Sequence, residues 1–449
     1  MSGNFRSFDR DTLFLMPPSV QDWIPKEHLA RFVVEIVEQL DLRVLRESYA
    51  GRGSAAYHPE MLVALLFYGY ATGVRASRKL EAATYESVPF RFIAANTHPD
   101  HDTISDFRGR FLPQLSHVFE QLLVLANEMG ALKVGHVSLD GTKIRANASK
   151  HNALSLKRGS DLQRRFAREA RRMLELAEQA DREDTGDDQF HLPAELARHE
   201  DRILAIKEAM ERIRARETER VEREKAEREE SRAERRELEE TNGRRFEARI
   251  RYNRIKRNPD AQINLTDEDS RMMRSGEGFV QAYNGQLGVD VESMLIVSEH
   301  LTQRVTDVQQ IKPALEILNR LAIGKPSALI ADAEYYSELN VERCAASGIE
   351  PYISVGREKH HWGLNHWRRP APPGHDASAL AIMRYRLRTP AGRAIYARRK
   401  CTVEPVIGNI KRSMGFRQFL LRGFEKASGE WTLACLSWNL RRLHALSPA

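Results

Sequence analysis

Apolar residues recur every three or four positions in HLARFVVEIVEQLDL (28–42) and HPEMLVALLFYGYATG (58–73), which predicts helices from about Lys26 to Met129. Ser77, Pro89 and Pro99 divide that region into short helices. Asp102-Thr103 opens another, DTISDFRGRFLPQLSHVFEQLLVLANEMG, interrupted near Pro113. Then the period changes. VSLDGTKIRANAS, Val137 to Ser149, reads as an apolar strand ending at Asp140, with Gly141, Lys143 and Arg145 following. After Asn152 helical spacing returns: Leu162, Phe166, Ala170, Met173, Ala177 and Ala180 share one face, and TGDDQFHLP breaks it. Leu196, Ile203, Ile206, Met210 and Ile213 then mark a short heptad seam. Together these predict a helical hairpin. Beyond Ile213 the seam fades into ETERVEREKAEREESRAERRELEE, an Arg/Glu run whose i,i+4 pairs can hold an exposed helix, so a solvated face is expected.

After Asn258-Pro259 strand patterning resumes. GFVQAYNGQLGVDVESMLIVSEHLTQ predicts two antiparallel strands with a turn near Asp290 to Ser293. VTDVQQIKPALEILNRLA predicts a helix, SALIADAEYYSELNVERCAASG a strand, Asp332 and a second helix, and PYISV a further strand. A Trp/His/Pro-rich loop precedes a helical tail from Met383. The order predicts an α/β protein: a mixed sheet flanked by helices, with an N-terminal helical domain and a long, coiled-coil-like helical insertion. The expected boundaries are 1–130 for the helical domain, 131–152 with 258–430 for the α/β domain, 153–257 for the insertion and 431–449 for a C-terminal helix.

The chain has 449 residues, 41% of them hydrophobic, enough for two or three structural units and too many for a disordered protein. Lys and Arg number 70 against 63 Asp and Glu, a formal +7 that favours a polyanionic partner. Cys344, Cys401 and Cys435 are far apart with no C-x-x-C pair, which argues against a zinc knuckle or a disulfide framework and fits a reducing cytoplasm. The sequence has no secretory pattern and no window approaching a membrane span, so no membrane partner is expected. Arg75, Arg78, Lys79, Arg91, Arg108 and Arg110, spread over short helices, are compatible with a helix-turn-helix DNA-binding unit. A helical core with a solvated basic face fits them equally well. In RRFEARIRYNRIKR, Arg244 to Arg257, seven basic residues meet one Glu with Phe246 and Tyr252 between them, which suits phosphate contact and base stacking.

Asp140 and Asp332 each follow an apolar strand, where carboxylates of an open sheet point into a shared crevice. Their repulsion is relieved by a cation, and hard Mg²⁺ prefers such oxygen ligands. Singly, each is more simply a turn former or helix cap. A third acid, Glu404, lies in YARRKCTVEPVIGNIKRSMGFRQFLLRG. With Thr402 as N-cap and Pro405 in the first turn, Glu404 is expected at a helix start, and Lys411 falls about two turns further along the same face. From Arg393 to Lys426, nine basic residues stand against Glu404 and Glu425.

These segments resemble the DDE transposases of bacterial insertion sequences. PDHDTISDFRGRF resembles part of that family's N-terminal domain, VSLDGTKIRANAS its first-Asp motif and ADAEYY its second, while Tyr396, Arg399, Glu404 and Lys411 resemble its Tyr-Arg-Glu-Lys signature. The quoted signature is one residue shorter between Arg and Glu. Either Lys400 takes the arginine's place or a loop is longer here. The resemblance implies a ribonuclease-H-like core in which Asp140, Asp332 and Glu404 are the catalytic, metal-holding residues. It further implies two Mg²⁺ ions, replaceable by Mn²⁺, and cleavage and joining of insertion-sequence ends by phosphoryl transfer. Lys143, Arg145, Tyr396, Arg399, Lys400, Lys411 and Arg412 are then the expected DNA contacts, with Trp362 or Trp367 able to stack on a base. The expected partners are double-stranded DNA, as terminal inverted repeats and as target, and a second copy of the chain at least. A nuclease that cuts without joining, or a catalytically silent DNA-binding descendant, are the competing readings.

Overall fold

A computed structural model describes residues 19–447 except 48, 50–55, 183–191, 243–254, 277, 357–370 and 375–376, and gives no side-chain detail for 176–199 and 242. Most of the basic segment from Arg244 to Arg257, and both Trp362 and Trp367, lie outside the described residues. The chain forms two compact units: one of Met1–Leu132, Ser413–Gly415 and Thr432–Ala449, the other of Lys133–Arg412 and Phe416–Trp431.

The first unit is helical. It contains α1 (Leu29–Gln39), α2 (Arg43–Glu47), α3 (Pro59–Thr72), α4 (Ser77–Glu86), α5 (Val88–Ile93), α6 (His101–Phe111) and α7 (Leu115–Glu128). Helix α3 is apolar all round because it is central: Leu62, Leu65, Leu66, Phe67 and Tyr70 are all buried. Such side chains each contribute about 1.5–3 kcal/mol by leaving water. Asp100 caps α6, accepting from Thr103 N at 2.8 Å. Two of the arginines considered as DNA contacts have structural roles. Arg108 is 5% exposed and donates to Arg75 O at 3.2 Å, while Arg91 donates to Asn96 Oδ1 and lies 4.9 Å from the Trp23 ring. Because packing consumes these cations, the tally of basic residues overstates the surface charge. The last residues of the chain belong to this unit too: Arg441 donates to Ala71 O at 3.1 Å.

The second unit is built on a six-stranded mixed sheet. Its strands are β1 (His136–Arg145), β4 (Arg271–Ser275), β5 (Gly278–Asp290), β6 (Ile296–Thr302), β7 (Ala328–Ala331) and β8 (Glu350–Ile353), ordered β4-β5-β1-β7-β8 with β6 also on β5. Central β1 runs antiparallel to β5 and parallel to β7. The turn after β5 closes on Asp290, whose Oδ2 accepts from Ser293 N at 2.8 Å and Ser293 Oγ at 2.7 Å. Helices α10 (Ile311–Arg320), α11 (Glu338–Ala346), α12 (Ala379–Arg388) and α13 (Pro390–Arg412) flank the sheet, and α14 runs Phe424–Leu446. The sequence pattern missed β4, because RMMRS alternates too weakly to register as a strand.

The insertion leaves and re-enters through a two-stranded sheet of β2 (Ala153–Ser155) and β3 (Gln262–Asn264), so its ends lie side by side and the main sheet is not interrupted. It contains α8 (Leu156–Arg182) and the long α9 (Leu192–Asn242). Leu154, Ile206, Ala209, Met210, Ile213 and Ile263 form an apolar cluster at the base, with Leu162 and Phe166 against it.

Beyond Ile213 the heptad phase continues in charged residues instead of fading. Arg216, Arg220 and Arg223 come next, then Glu227, Glu230 and Glu234, all at alternating four- and three-residue spacing. Glu227 pairs with Arg304, Glu230 with Lys312 at 2.6 Å, and Glu234 with Arg343 through two bonds of 2.8 and 2.6 Å. The expectation of a solvated face is therefore corrected: this stretch docks by ion pairs onto the flank formed by α10 and α11. Arg343 is 13% exposed and bidentate, so Glu234→Ala should cost about 1 kcal/mol, more than an ordinary surface pair. Urea unfolding should show the loss in low salt and a smaller one in high salt. Equal loss at both ionic strengths would remove the ion pair as its cause.

Candidate active site

The pairing of β1 with β7 is short. It covers His136 to Ser138 against Ala328 to Ile330 and then stops, while β1 continues on β5 to Arg145, where a single parallel bridge joins it to Gln418. Asp140 and Asp332 each stand two positions beyond the last pair, Ser138 and Ile330, and alternation brings both to the same face. The expectation that the strand ends at Asp140 is corrected. What ends there is its parallel partner, and the divergence of the two strands opens the crevice.

Gly141 is required at this place by close packing. A Cβ there would meet Gln286 Nε2, and would come within 2.9 Å of Asp307 Oδ1 and 3.1 Å of Asn284 Oδ1. These residues, overlooked by sequence reasoning, form a polar floor. Asp307 Oδ1 accepts from Asn284 Nδ2 at 2.6 Å, Gln286 Nε2 at 2.7 Å and Lys143 Nζ at 3.4 Å. Buried Tyr335 donates to Gln286 Oε1 at 2.5 Å. The signal that existed was Asn284 and Gln286 alternating along an otherwise apolar strand, where unpaired amides would be costly.

Glu404 does not open a helix. Thr389 Oγ1 accepts from Gly392 N at 3.0 Å and Pro390 begins α13, so the same Thr and Pro start signal occurs earlier in the chain, and Pro405 lies inside the helix. Thr402 is buried and donates to Arg398 O at 2.7 Å, as a mid-helix threonine does. The segment between Arg399 and Glu404 is therefore continuous helix and not a longer loop. Arg399 reaches the acids: its guanidinium lies 3.1 Å from Glu404 Oε1 and 3.5 Å from Asp140 Oδ2.

The electrostatics follow from this placement. Burial, and then the Asp332 charge, push the Asp140 carboxyl up to about 7, against the opposing pull of Arg399 and of Gly141 N, which donates to Asp140 Oδ1 at 2.8 Å. Glu334 is raised by burial, Asp332 and Asp307. For Arg399, burial opposes the charged form, but Asp140, Tyr396, Glu404 and Asp332 outweigh it and raise the guanidinium. Lys411 donates to Lys143 O at 3.1 Å, which brings it to β1. Tyr396 packs against Val291, Ala328, Ile330 and Tyr352, whereas Arg145, Lys400 and Arg412 are exposed.

An order of β6-β5-β1-β7-β8, with carboxylates beside its central parallel pair, defines a ribonuclease-H-like α/β protein. A family model described as "Transposase DDE domain" matches residues 241–440, and one described as "Transposase domain (DUF772)" matches 18–110. Both matches support reading the chain as a DDE transposase of the insertion-sequence type, a family of enzymes that cleave and join DNA. No curated protein and no solved structure matched it. Asp140 lies between the two matched segments, so its place in the site rests on the geometry above.

This family generally uses divalent metals. Among the described residues no three metal-ligating side chains are already gathered around one point. The donor set nevertheless fits such an ion: carboxylate oxygens only, two of them mutually repelling, with the Arg399 cation spanning Asp140 and Glu404. No described helix is long and apolar enough to cross a membrane.

Proposed function

We propose that Asp140, Asp332 and Glu404 are the catalytic acids with which this transposase cleaves and joins the ends of an insertion sequence. The observation that carries the proposal is that Asp140 and Asp332 occupy equivalent positions where β1 and β7 part, with Arg399 joining Asp140 to Glu404. The three carboxylates would hold divalent ions, Mg²⁺ or Mn²⁺, which when bound activate a water or 3′-hydroxyl and stabilise the leaving oxygen. The polar floor of Asp307, Asn284, Gln286 and Lys143 packs under Gly141, next to Asp140 in the chain. Arg145, Lys400 and Arg412 offer exposed cations to DNA phosphates, and Lys143 and Lys411 line the same strand. Tyr396, wedged against the sheet, positions the helix that bears Arg399 and Glu404. Joining two ends in one event calls for at least two copies of the chain on terminal repeats and target.

The test is strand transfer in Mg²⁺ with pre-cleaved element ends and target DNA, comparing the wild type with Asp332→Ala. The wild type is expected to join and the variant to bind the ends without joining. Joining by Asp332→Ala would refute the assignment, and cutting without joining by the wild type would identify a nuclease.

A further inference from the structure

The heptad stripe of α9 has three parts, and two are satisfied within the chain. The apolar part packs on β2 and β3, and the acidic part pairs with Arg304, Lys312 and Arg343. The basic part faces an open cavity of about 820 Å³ lined by α9, β3, β4, β5 and the end of β6. Six basic and three acidic side chains line it. Arg220 is neutralised by Glu217 at 2.9 Å and Glu224 at 2.6 Å, and Arg304 by Glu227. Three guanidiniums remain under-compensated. Arg216 Nη1 is buried without a hydrogen-bond partner among the described residues. Arg223 has only a 3.9 Å approach to Glu227. Arg271 donates to the carbonyls of Glu268, Asp269 and Ser270 and to Gln303, with no carboxylate at bonding distance. Burial, and next the Arg216 charge, bring Arg271 down to about 10.

A protein does not gather like charges around a polar cavity without cost, and an orphaned buried N–H costs on the order of 1–3 kcal/mol. We propose that this cavity is a phosphate site in which Arg216, Arg223 and Arg271 hold the sugar-phosphate backbone of a DNA strand. Guanidiniums suit phosphate because their planar fork donates two parallel bonds. Arg216 and Arg223 are two helical turns apart, about 10 Å, which spans roughly three phosphates at about 3.4 Å of axial rise each. The inference rests on the transposase reading only for the source of the phosphate. Gln281 of the lining neighbours Ala282, which pairs with Arg145, and Asp140 lies about 17 Å further along β1. The insertion thus supplies a second hold on DNA beside the catalytic sheet.

The experiment measures binding of an element-end duplex by fluorescence anisotropy across a salt series, for the wild type, Arg216→Ala and Val305→Asp. Val305 is an exposed lining residue, and placing a carboxylate there repels phosphate without removing any internal bond. Both variants should bind roughly five- to tenfold more weakly, and Arg216→Ala should reduce the salt slope by about one. Unchanged affinity and slope in both, with circular dichroism reporting native helix content, would overturn the proposal. Thermal stabilisation by inorganic pyrophosphate that Val305→Asp abolishes, with duplex binding unaltered, would also overturn it in favour of a free phosphate ligand. Failure of the catalytic reading is distinguishable: there the wild type does not join ends, while duplex binding still responds to Arg216.

Discussion

Asp140→Asn is expected to abolish strand transfer, by at least about a thousandfold, and at the same time to make the protein more stable near neutral pH. The two effects share one cause. In the folded chain burial and Asp332 raise the Asp140 carboxyl to about 7, above its ordinary value of 3.8. A carboxyl raised on folding contributes no penalty below its unfolded pKa. As pH climbs from about 4 to about 7 the unfolded chain releases that proton first, so wild-type stability falls through this window and stays lower above it. The asparagine variant cannot ionise and escapes the loss. A shift of about three units corresponds to roughly 4 kcal/mol at most. Because the Asp140 side chain is 19% exposed and Arg399 loses a partner, about 1–2 kcal/mol is the expected gain above pH 7. Thermal unfolding at about pH 5 and pH 8 checks it: the gain should grow with pH. A pH-independent difference, or a variant that still joins DNA, would remove Asp140 from this role.

Arg399→Ala should act in the opposite direction. The Arg399 side chain is 13% exposed and spans Asp140 and Glu404, so removing it leaves two carboxylates beside Asp332 without their counter-charge. Breaking a buried pair in this way costs about 3–5 kcal/mol; here Glu404 is half exposed, and about 2–3 kcal/mol is expected. Arg399→Lys should recover only part of the loss, since an ammonium reaches one carboxylate and not both. Millimolar Mg²⁺ should raise the melting temperature of the alanine variant more than that of the wild type, because under the proposed assignment guanidinium and metal compete for the same oxygens. Equal Mg²⁺ effects on the two proteins would mean that Arg399 does not guard the carboxylates proposed to hold the metal.

Much of this site was legible in the residues, though not its local settings. Asp140, Asp332 and Glu404 could be singled out because each is an acid at an unusual place: two after apolar strands, one expected to open a basic helix. Asp307, Asn284, Gln286 and Tyr335 could not, because they are scattered polar residues whose partners come from other strands. The helix start was misplaced from Thr389 to Thr402 because both carry the same capping signal, and only packing against the sheet decides which one nucleates.

Most of the order of strands and helices, the interruption by a charged hairpin, and the type of chemistry were set by period and composition, which act locally along the chain. Tertiary structure alone decided where β1 and β7 part, that Arg399 spans Asp140 and Glu404, and that the Arg/Glu helix docks on the flank of α10 and α11 instead of standing in water. The physical reason is range. Periodicity is a property of neighbours in sequence, whereas a carboxylate's charge, a guanidinium's partner and a cavity's lining depend on groups hundreds of residues away that only folding brings within a few ångströms.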